Sequence, residues 1–514
     1  MNASGTSPVD RVSGPRQRAR PSGQEPITRA LVLVAGVVVL GTMMSILDST
    51  VVNVAIDTLA ARFHTTLPTI QWVATGYTLA LATVIPLTGW IADRYGTKRL
   101  YMISIALFMA GSTLSGLAWS AGTIILFRVL QGLGGGMIMP AGMTILTRAA
   151  GPNRIGRVMA IIGVPMLIGP VLGPVLGGWL VADVSWRWIF FINVPIGVFA
   201  LVCAMRVLPR DVASHGERLD LTGLLLVSPG LALVIYGLAE SDSAGGFGSG
   251  KVLIPILLGL LSLAAFTWHS LRVADPLIDL RLFRHRAFAT ASLTQLLVGV
   301  SVFGSFLLMP LYLQSVRGES PLMSGLLLIP QGLGSMVAMP VSGQLSDRTG
   351  AGRIVPFGLL AILAAVLCLT QLGAGTSYAW LCSVLFVFGI GMGFTMTPVF
   401  SGAMQSVSAA DAARASTALN IIQQAGASVG TAVLSVLLAT ELAHKLGHGS
   451  HGTIGNIAAS AAQRAHVAAP MASAFGHTFW WALGMLAVAL VASLALPKRR
   501  AAAAGAASPA AMII

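Results

Sequence analysis

Charge is scarce in this chain, and cysteine scarcer still. Only 9% of its 514 residues are Asp, Glu, Lys or Arg, 55% are hydrophobic, and mean hydropathy is +0.83. A soluble globular domain, where about a quarter of residues are charged, is excluded by that balance. The three cysteines, Cys203, Cys368 and Cys382, all sit in apolar runs. Odd in number and widely spaced, they make neither a disulfide framework nor a metal set and read as small packing residues. No Gly-Lys-Ser/Thr follows a glycine-rich turn, which removes ATP hydrolysis by this chain. The net charge of +14 would suggest nucleic acid on a soluble protein, but its distribution points to a membrane and no nucleic acid.

The apolar residues divide into fourteen runs long enough to cross a bilayer as helices, each needing ~20 residues. They lie at about 29–56, 67–91, 99–119, 121–147, 157–181, 188–208, 219–239, 252–271, 288–315, 321–346, 354–373, 376–404, 413–439 and 475–496. Lys and Arg alternate between the connections: 24 of the 31 fall in one alternating set, which includes both chain ends. Only Arg62, Arg187, Lys251, Arg317, Lys445 and Arg464 fall in the other, and Arg128 lies inside a span. This positive-inside pattern predicts a multi-pass protein of the cell (inner) membrane with both termini cytoplasmic. A missed helix would scramble the parity, so the alternation also supports fourteen spans. The first run is too long for a signal peptide and lacks a small-residue cleavage site, so it reads as an uncleaved first helix.

The chain repeats itself. GWIADRYGTKR (Gly89–Arg99) and GQLSDRTGAGR (Gly343–Arg353) share Gly, Asp, Arg, Gly and Arg at equal offsets, and Pro86 matches Pro340 upstream. Two homologous six-helix bundles follow, at 29–208 and 288–496, with an inserted helix pair at 219–271. Residues 1–28 are expected to be a disordered cytoplasmic N-terminus and 497–514 a cytoplasmic tail. The repeat is asymmetric where it carries charge. LFRVLQGLGGGMIMP (Leu126–Pro140) has Arg128, whereas LFVFGIGMGFTMTP (Leu385–Pro398) has Val387 in its place.

Asp48 and Arg128 are almost the only charges within spans, and an ionisable group at membrane depth marks a pathway or a coupling site by default. Asp48 sits in the outer half of its helix, where a carboxyl can take a proton from outside and release it inside. Arg128 cannot deprotonate, so its role is electrostatic, and a permanent cation near Asp48 would assist proton release. Gln131 lies at i+3 on the same face as Arg128. The glycines after it resemble a phosphate loop only superficially, since no strand precedes them. In GVPMLIGPVLGPVLGG, Gly169, Gly173 and Gly177 fall four apart, so a neighbouring helix can approach closely. Pro165, Pro170 and Pro174 remove backbone donors there and bend the helix. His444, His448 and His451 lie in a predicted outer loop at 440–474 with no fourth ligand, and a solvated loop is expected there, with no metal.

These motifs together resemble the major facilitator superfamily, specifically its 14-helix drug/proton antiporter (EmrB/QacA-like) branch, over roughly residues 29–496. The resemblance implies an all-α polytopic membrane protein of the major facilitator fold: two six-helix bundles plus two inserted linker helices. It makes Gly89, Asp93, Arg94, Gly96 and Arg99, with Asp347 and Arg348 of the second copy, a gating loop between the bundles. LDSTVVNVAI (Leu47–Ile56) resembles the first-helix signature of the branch, and LFRVLQGLGGGMIMP its fourth-helix motif. The helix carrying Gly163, Pro165, Gly169, Pro170, Gly173, Pro174 and Gly177 resembles its antiporter motif. SWRWIFFINVPIG (Ser185–Gly197) also matches and reads as an aromatic interface belt. A substrate cavity is expected to draw on Asn53, Trp72, Tyr77, Gln131, Met137, Phe303 and Phe306, because aromatics and flexible Met suit varied apolar ligands. Gln423 and Gln424 either touch substrate or bind neighbouring helices.

The expected function is proton-coupled efflux of amphipathic or apolar small molecules, with no enzyme activity and no cofactor beyond the proton motive force. With one acid well inside a span, one proton per cycle and neutral or monocationic substrates are expected. The alternatives are a dedicated exporter of one antibiotic or metabolite and an envelope lipid exporter. Protons, a small-molecule substrate and the bilayer are the expected partners, and the sequence leaves oligomeric state and any adaptor open.

Overall fold

The computed structural model describes residues 28–151, 154, 158, 172–173, 176–209, 219–243, 247–273, 275–408, 411–446 and 461–497. The described residues are helical, with no strand among them. In chain order the helices are α1 (Arg29–Arg62), α2 (Leu67–Val84), α3 (Leu87–Tyr95), α4 (Thr97–Gly116) and α5 (Ala121–Ala150). A short π turn (Leu180–Val184) precedes α6 (Trp188–Phe191) and α7 (Asn193–Val207). Then come α8 (Leu221–Ser243), α9 (Gly250–Ser270), α10 (Arg286–Ser315), α11 (Pro321–Thr349) and α12 (Ala351–Leu369). The last three are α13 (Tyr378–Gln405), α14 (Ala412–Leu446) and α15 (Ala461–Ser493).

Eleven of the described helical spans are long and apolar enough to cross a membrane, and α2 with α3 makes a twelfth, bent by 54°. The second predicted span is therefore broken rather than straight. Pro86 at the break has no N–H to give the preceding turn, which frees the chain to change direction. α4, with 20 residues, is ~30 Å long and also spans by length. It is less apolar because Ser104, Ser112 and Ser115 are buried against neighbouring helices rather than lipid. The fifth predicted span, 157–181, falls largely outside the described residues. The predicted outer loop at 440–474 is a correction: α14 continues to Leu446 and α15 begins at Ala461. Both extensions are rich in Ala and Leu, strong helix formers that hold a helix beyond the apolar core.

The described helices before α8 and those after α9 pack alike. α5 lies between α2 and α4, as α13 lies between α11 and α12; α1 and α4 meet α7, as α10 and α12 meet α15. The repeat reappears in the backbone. Gly96 has φ 92° and Gly350 φ 88°, and each N–H closes on a carbonyl four residues back, Ala92 and Ser346. That region is open to glycine and strained for other residues, which is why both copies of the motif carry it.

α8 and α9 pair with each other, and α8 also docks on α2 from one half and α14 from the other. The ring of Tyr236 stacks on Trp72 at 5.8 Å, and the Ser228 hydroxyl donates to the Thr83 carbonyl at 2.6 Å. α9 turns a broad apolar face outward, with Ile254, Leu257, Leu258 and Leu261 exposed.

A buried ion pair and a closed seam as the candidate functional site

Asp48 on α1 and Arg128 on α5 form a direct ion pair at 2.5 Å, each residue about 1% exposed. Close backbone approach makes this possible. A β-carbon at Gly132 would lie 2.5 Å from the Tyr77 carbonyl of α2, and one at Gly111 of α4 would lie 2.5 Å from the Gln131 nitrogen. Without those glycines neither α2 nor α4 could close around Arg128, which is how helices pack in lipid where small residues replace a hydrophobic drive.

Taking two charges out of water is unfavourable unless their remaining hydrogen-bonding capacity is met. Here it is. Arg128 donates from Nε to the Val73 carbonyl at 3.1 Å and from Nη1 to Gln131 Oε1 at 2.8 Å, as well as to Asp48 Oδ2. Asp48 Oδ1 accepts from Gln131 Nε2 at 2.8 Å and from Asn193 Nδ2 at 3.0 Å. The Tyr77 ring lies 4.1 Å beneath the guanidinium carbon, a cation–π platform. Asn193 also donates to Ser112 Oγ at 3.0 Å, and Ser112 donates to the Phe190 carbonyl at 2.9 Å. A cavity of about 10 Å³ reaches the cluster, close to the size of one water; among its described lining residues, Asp48 and Asn193 are the polar ones.

At the end of the molecule that carries the basic loops, a second cluster closes the seam between the halves. Asp93 pairs with Arg148 at 3.1 Å within its half and with Arg414 of α14 at 4.0 Å across the boundary. Gly89 sits against the Arg414 backbone and the Thr417 side chain, and Ser416 donates to the Pro140 carbonyl at 3.3 Å. Arg94, Arg99 and Arg348 are exposed, and Lys98 donates to the Met205 and Leu208 carbonyls, holding the end of α7.

The remaining expected site residues separate. Gln131 and Tyr77 join the ion pair. Gly173 and Gly177 pack against Thr50 and Val51 of α1, just beyond Asp48. Gly163, Pro165, Gly169, Pro170 and Pro174 lie outside the described residues, as do the side chains of Asn53 and Asp347. Phe303 and Phe306 of α10 form an edge-to-face pair at 5.8 Å, and Phe306 reaches Phe388 of α13. Met137 is buried in the core, and Gln423 and Gln424 are half-buried on α14. Trp72 stands apart from these: it is 40% exposed and stacks on Tyr236, so its place is the seam with the inserted pair rather than a central cavity. Of the histidines, His444 is on α14, and His448 and His451 lie outside the described residues. Among the described residues no group of His, Cys, Asp or Glu could hold a metal ion.

Asn193 is the residue that the sequence reading missed. Its signal was present, a lone amide between Ile192 and Val194 in an apolar run, but the surrounding aromatics made the segment read as an interface belt.

A sequence model described as the Major Facilitator Superfamily matches residues 38–431. The chain is 46% identical over 447 residues to a "Multidrug resistance protein B homolog" of Mycobacterium tuberculosis, covering 86% of this chain and 83% of that one. It is 33% identical to the "Tetracenomycin C resistance and export protein" of Streptomyces glaucescens, over 79% of this chain and 75% of the relative. It is also 33% identical to the "Puromycin resistance protein pur8" of Streptomyces alboniger, over 81% and 83%. Among solved structures, the human organic anion transporter MFSD10 (TETRAN) superposes with a TM-score of 0.59 at 15% identity, covering 89% of this chain and 99% of that one, a likeness of fold.

Proposed function

The chain belongs to the Major Facilitator Superfamily, a family of multi-pass membrane transporters and not of enzymes, and from that premise we propose that it exports drug-like small molecules in exchange for protons. The observation that carries this reading is the fully buried Asp48–Arg128 pair, in a chain whose relatives are named for drug resistance and export. A buried carboxylate with a permanent cation beside it has two defined states, ion-paired or protonated, and proton uptake breaks the balance of the pair.

The basic end is then cytoplasmic, with both termini on that side, in the cell membrane. The Asp93–Arg414 contact and the Gly89 packing hold that end shut, so the conformation is closed to the cytoplasm. The halves at 29–208 and 288–496 rock about the midplane, and the pair within 219–271 rides on the boundary between them. One acid in the membrane interior corresponds to one proton per cycle and to neutral or monocationic substrates. The aromatic cluster of Phe303, Phe306 and Phe388 offers such ligands an apolar surface.

The test is proton flux in proteoliposomes, with lipophilic cations and neutral drugs added, wild type beside Asp48→Asn. Substrate-triggered proton movement that disappears in the variant is the expected result; flux unchanged in Asp48→Asn overturns the assignment. A second reading is favoured by two relatives named for a single compound each, tetracenomycin C and puromycin. On that reading the chain exports one dedicated metabolite by the same cycle, and the drug panel would be silent while that metabolite moves protons.

A further inference from the structure

The shell around Asp48 serves a carboxylate and nothing else. All three side chains that bond its oxygens, Arg128, Gln131 and Asn193, do so as donors. When the carboxyl gains a proton it becomes a donor itself and needs an acceptor. Arg128 has no acceptor atom. Gln131 does, but its Oε1 already faces the guanidinium, and turning that amide would set two donors against each other. The Tyr77 hydroxyl bonds with Ser45 and its ring is held under Arg128. Asn193 alone has an amide that no cation pins. Its nitrogen meets only Asp48 Oδ1 and the Ser112 hydroxyl, a group able to donate as well as accept.

We propose that Asn193 is the acceptor for the protonated form of Asp48: on proton uptake its side-chain amide turns, and Oδ1 replaces Nδ2 toward Asp48 and Ser112. This rests on Asp48 being the coupling site. The balance is simple. A proton arriving through the small cavity, where Asp48 and Asn193 are the polar residues among the described lining, joins Asp48 Oδ1. The new O–H donates to Asn193 Oδ1, and no other covalent bond changes. Ser112, no longer offered an N–H, swings its own O–H from the Phe190 carbonyl to Asn193 Oδ1. The Phe190 carbonyl belongs to α6, two residues before the break at Ile192 that precedes α7, and the ring of the same residue lies 5.9 Å from the Arg128 guanidinium carbon. The amide thereby passes the protonation state of α1 to the start of α7. Among the described residues, the charged or titratable groups around the carboxyl are Arg128 from α5 and Tyr77 from α2; α4 contributes Ser112, α6 the ring and carbonyl of Phe190, and α7 Asn193 itself.

The experiment is infrared difference spectroscopy of the full chain in lipid, acid against neutral, on wild type, Asp48→Asn, Asn193→Leu and Asn193→Gln. The wild type shows the carboxylic acid band of Asp48 at a hydrogen-bonded frequency, and Asp48→Asn loses it. In Asn193→Leu the band moves to higher wavenumber, as for an acid without an acceptor, and Asn193→Gln restores it toward the wild-type position. A merely structural Asn193 would not move that band, so an unshifted band in Asn193→Leu overturns the proposal. A pH-dependent band that survives in Asp48→Asn instead overturns the coupling assignment on which it rests. Should Asn193→Leu not fold, wild type carrying isotopically labelled asparagine gives the same answer. Its amide carbonyl band shifts to lower wavenumber on acidification, and stays still in Asp48→Asn; no shift in wild type overturns the proposal.

Discussion

Asp93 and Arg414 face each other at 4.0 Å across the boundary between the two halves, one at the foot of α3 and the other at the start of α14. Both are partly exposed, at 17% and 15% of their side chains, so solvent weakens the pair and its worth to global stability is at most about 1 kcal/mol. In the proposed alternating cycle, what it biases is the choice between conformations. Asp93→Asn is expected to leave thermal unfolding nearly unchanged while broadening and lengthening spin-label distances between α3 and α14. Exchanging the charges, Asp93→Arg with Arg414→Asp, recovers part of the short-distance population.

The central pair behaves differently because it is buried. Arg128→Ala leaves Asp48 charged and without its cation, a change that typically costs ~3–5 kcal/mol. Thermal unfolding in detergent is expected to shift down by several degrees or more. Arg128→Lys keeps the charge but lacks the fork that reaches Val73, Gln131 and Asp48 together, so it recovers less than half of that loss.

Gly111 and Gly122 make a matched pair for close packing. A β-carbon at Gly111 runs into the Gln131 backbone, whereas one at Gly122 meets nothing within 4 Å. Gly111→Ala is expected to destabilise by ~1–3 kcal/mol through overpacking and to displace Gln131 from Asp48. Gly122→Ala, in a helix, is neutral or stabilising by up to ~1 kcal/mol. Equal effects at the two positions in a thermal-shift assay would contradict this account.

At Gly96 and Gly350 the backbone rather than space is limiting. Alanine at either position carries a conformational cost of ~1–3 kcal/mol. Because the turns are equivalent, the two single variants should lose stability by similar amounts, and the double variant by about their sum, since the sites lie in separate halves.

Much of the fold was legible because the membrane leaves the backbone few options. Apolar runs, the alternation of Arg and Lys, and the repeat around Gly96 and Gly350 all follow from local rules, and the helices that the structure describes follow them. The bend at Pro86 was missed because hydropathy registers length and not direction. The extensions of α14 and α15 were missed because their residues are polar enough to look like loop yet good enough helix formers to continue. At the site, Asp48 and Arg128 stood out as isolated charges, but their contact depends on how α1 and α5 face each other, which no single run encodes. Trp72 was grouped with the other aromatics by residue type; its actual partner, Tyr236, is 164 positions away on the inserted pair. Asn193 shows the same limit from the other side, since a neutral amide signals little until the carboxylate it serves is beside it.

The asymmetry between Arg128 and Val387 has an electrical consequence. The Asp48–Arg128 pair sums to zero, so in that state it offers the voltage across the bilayer no net charge. In the proposed proton-coupled cycle, a proton taken up at Asp48 would leave the guanidinium uncompensated, and the half containing α1 and α5 would then feel the field with a free energy of ~2.3 kcal/mol per 100 mV for a full crossing. The other half has Val387 where the cation would be, so it gains no such charge at the equivalent position. On that proposal, voltage acts on the half that holds Asp48 and Arg128, at the protonated stage of the cycle, and the second half follows mechanically.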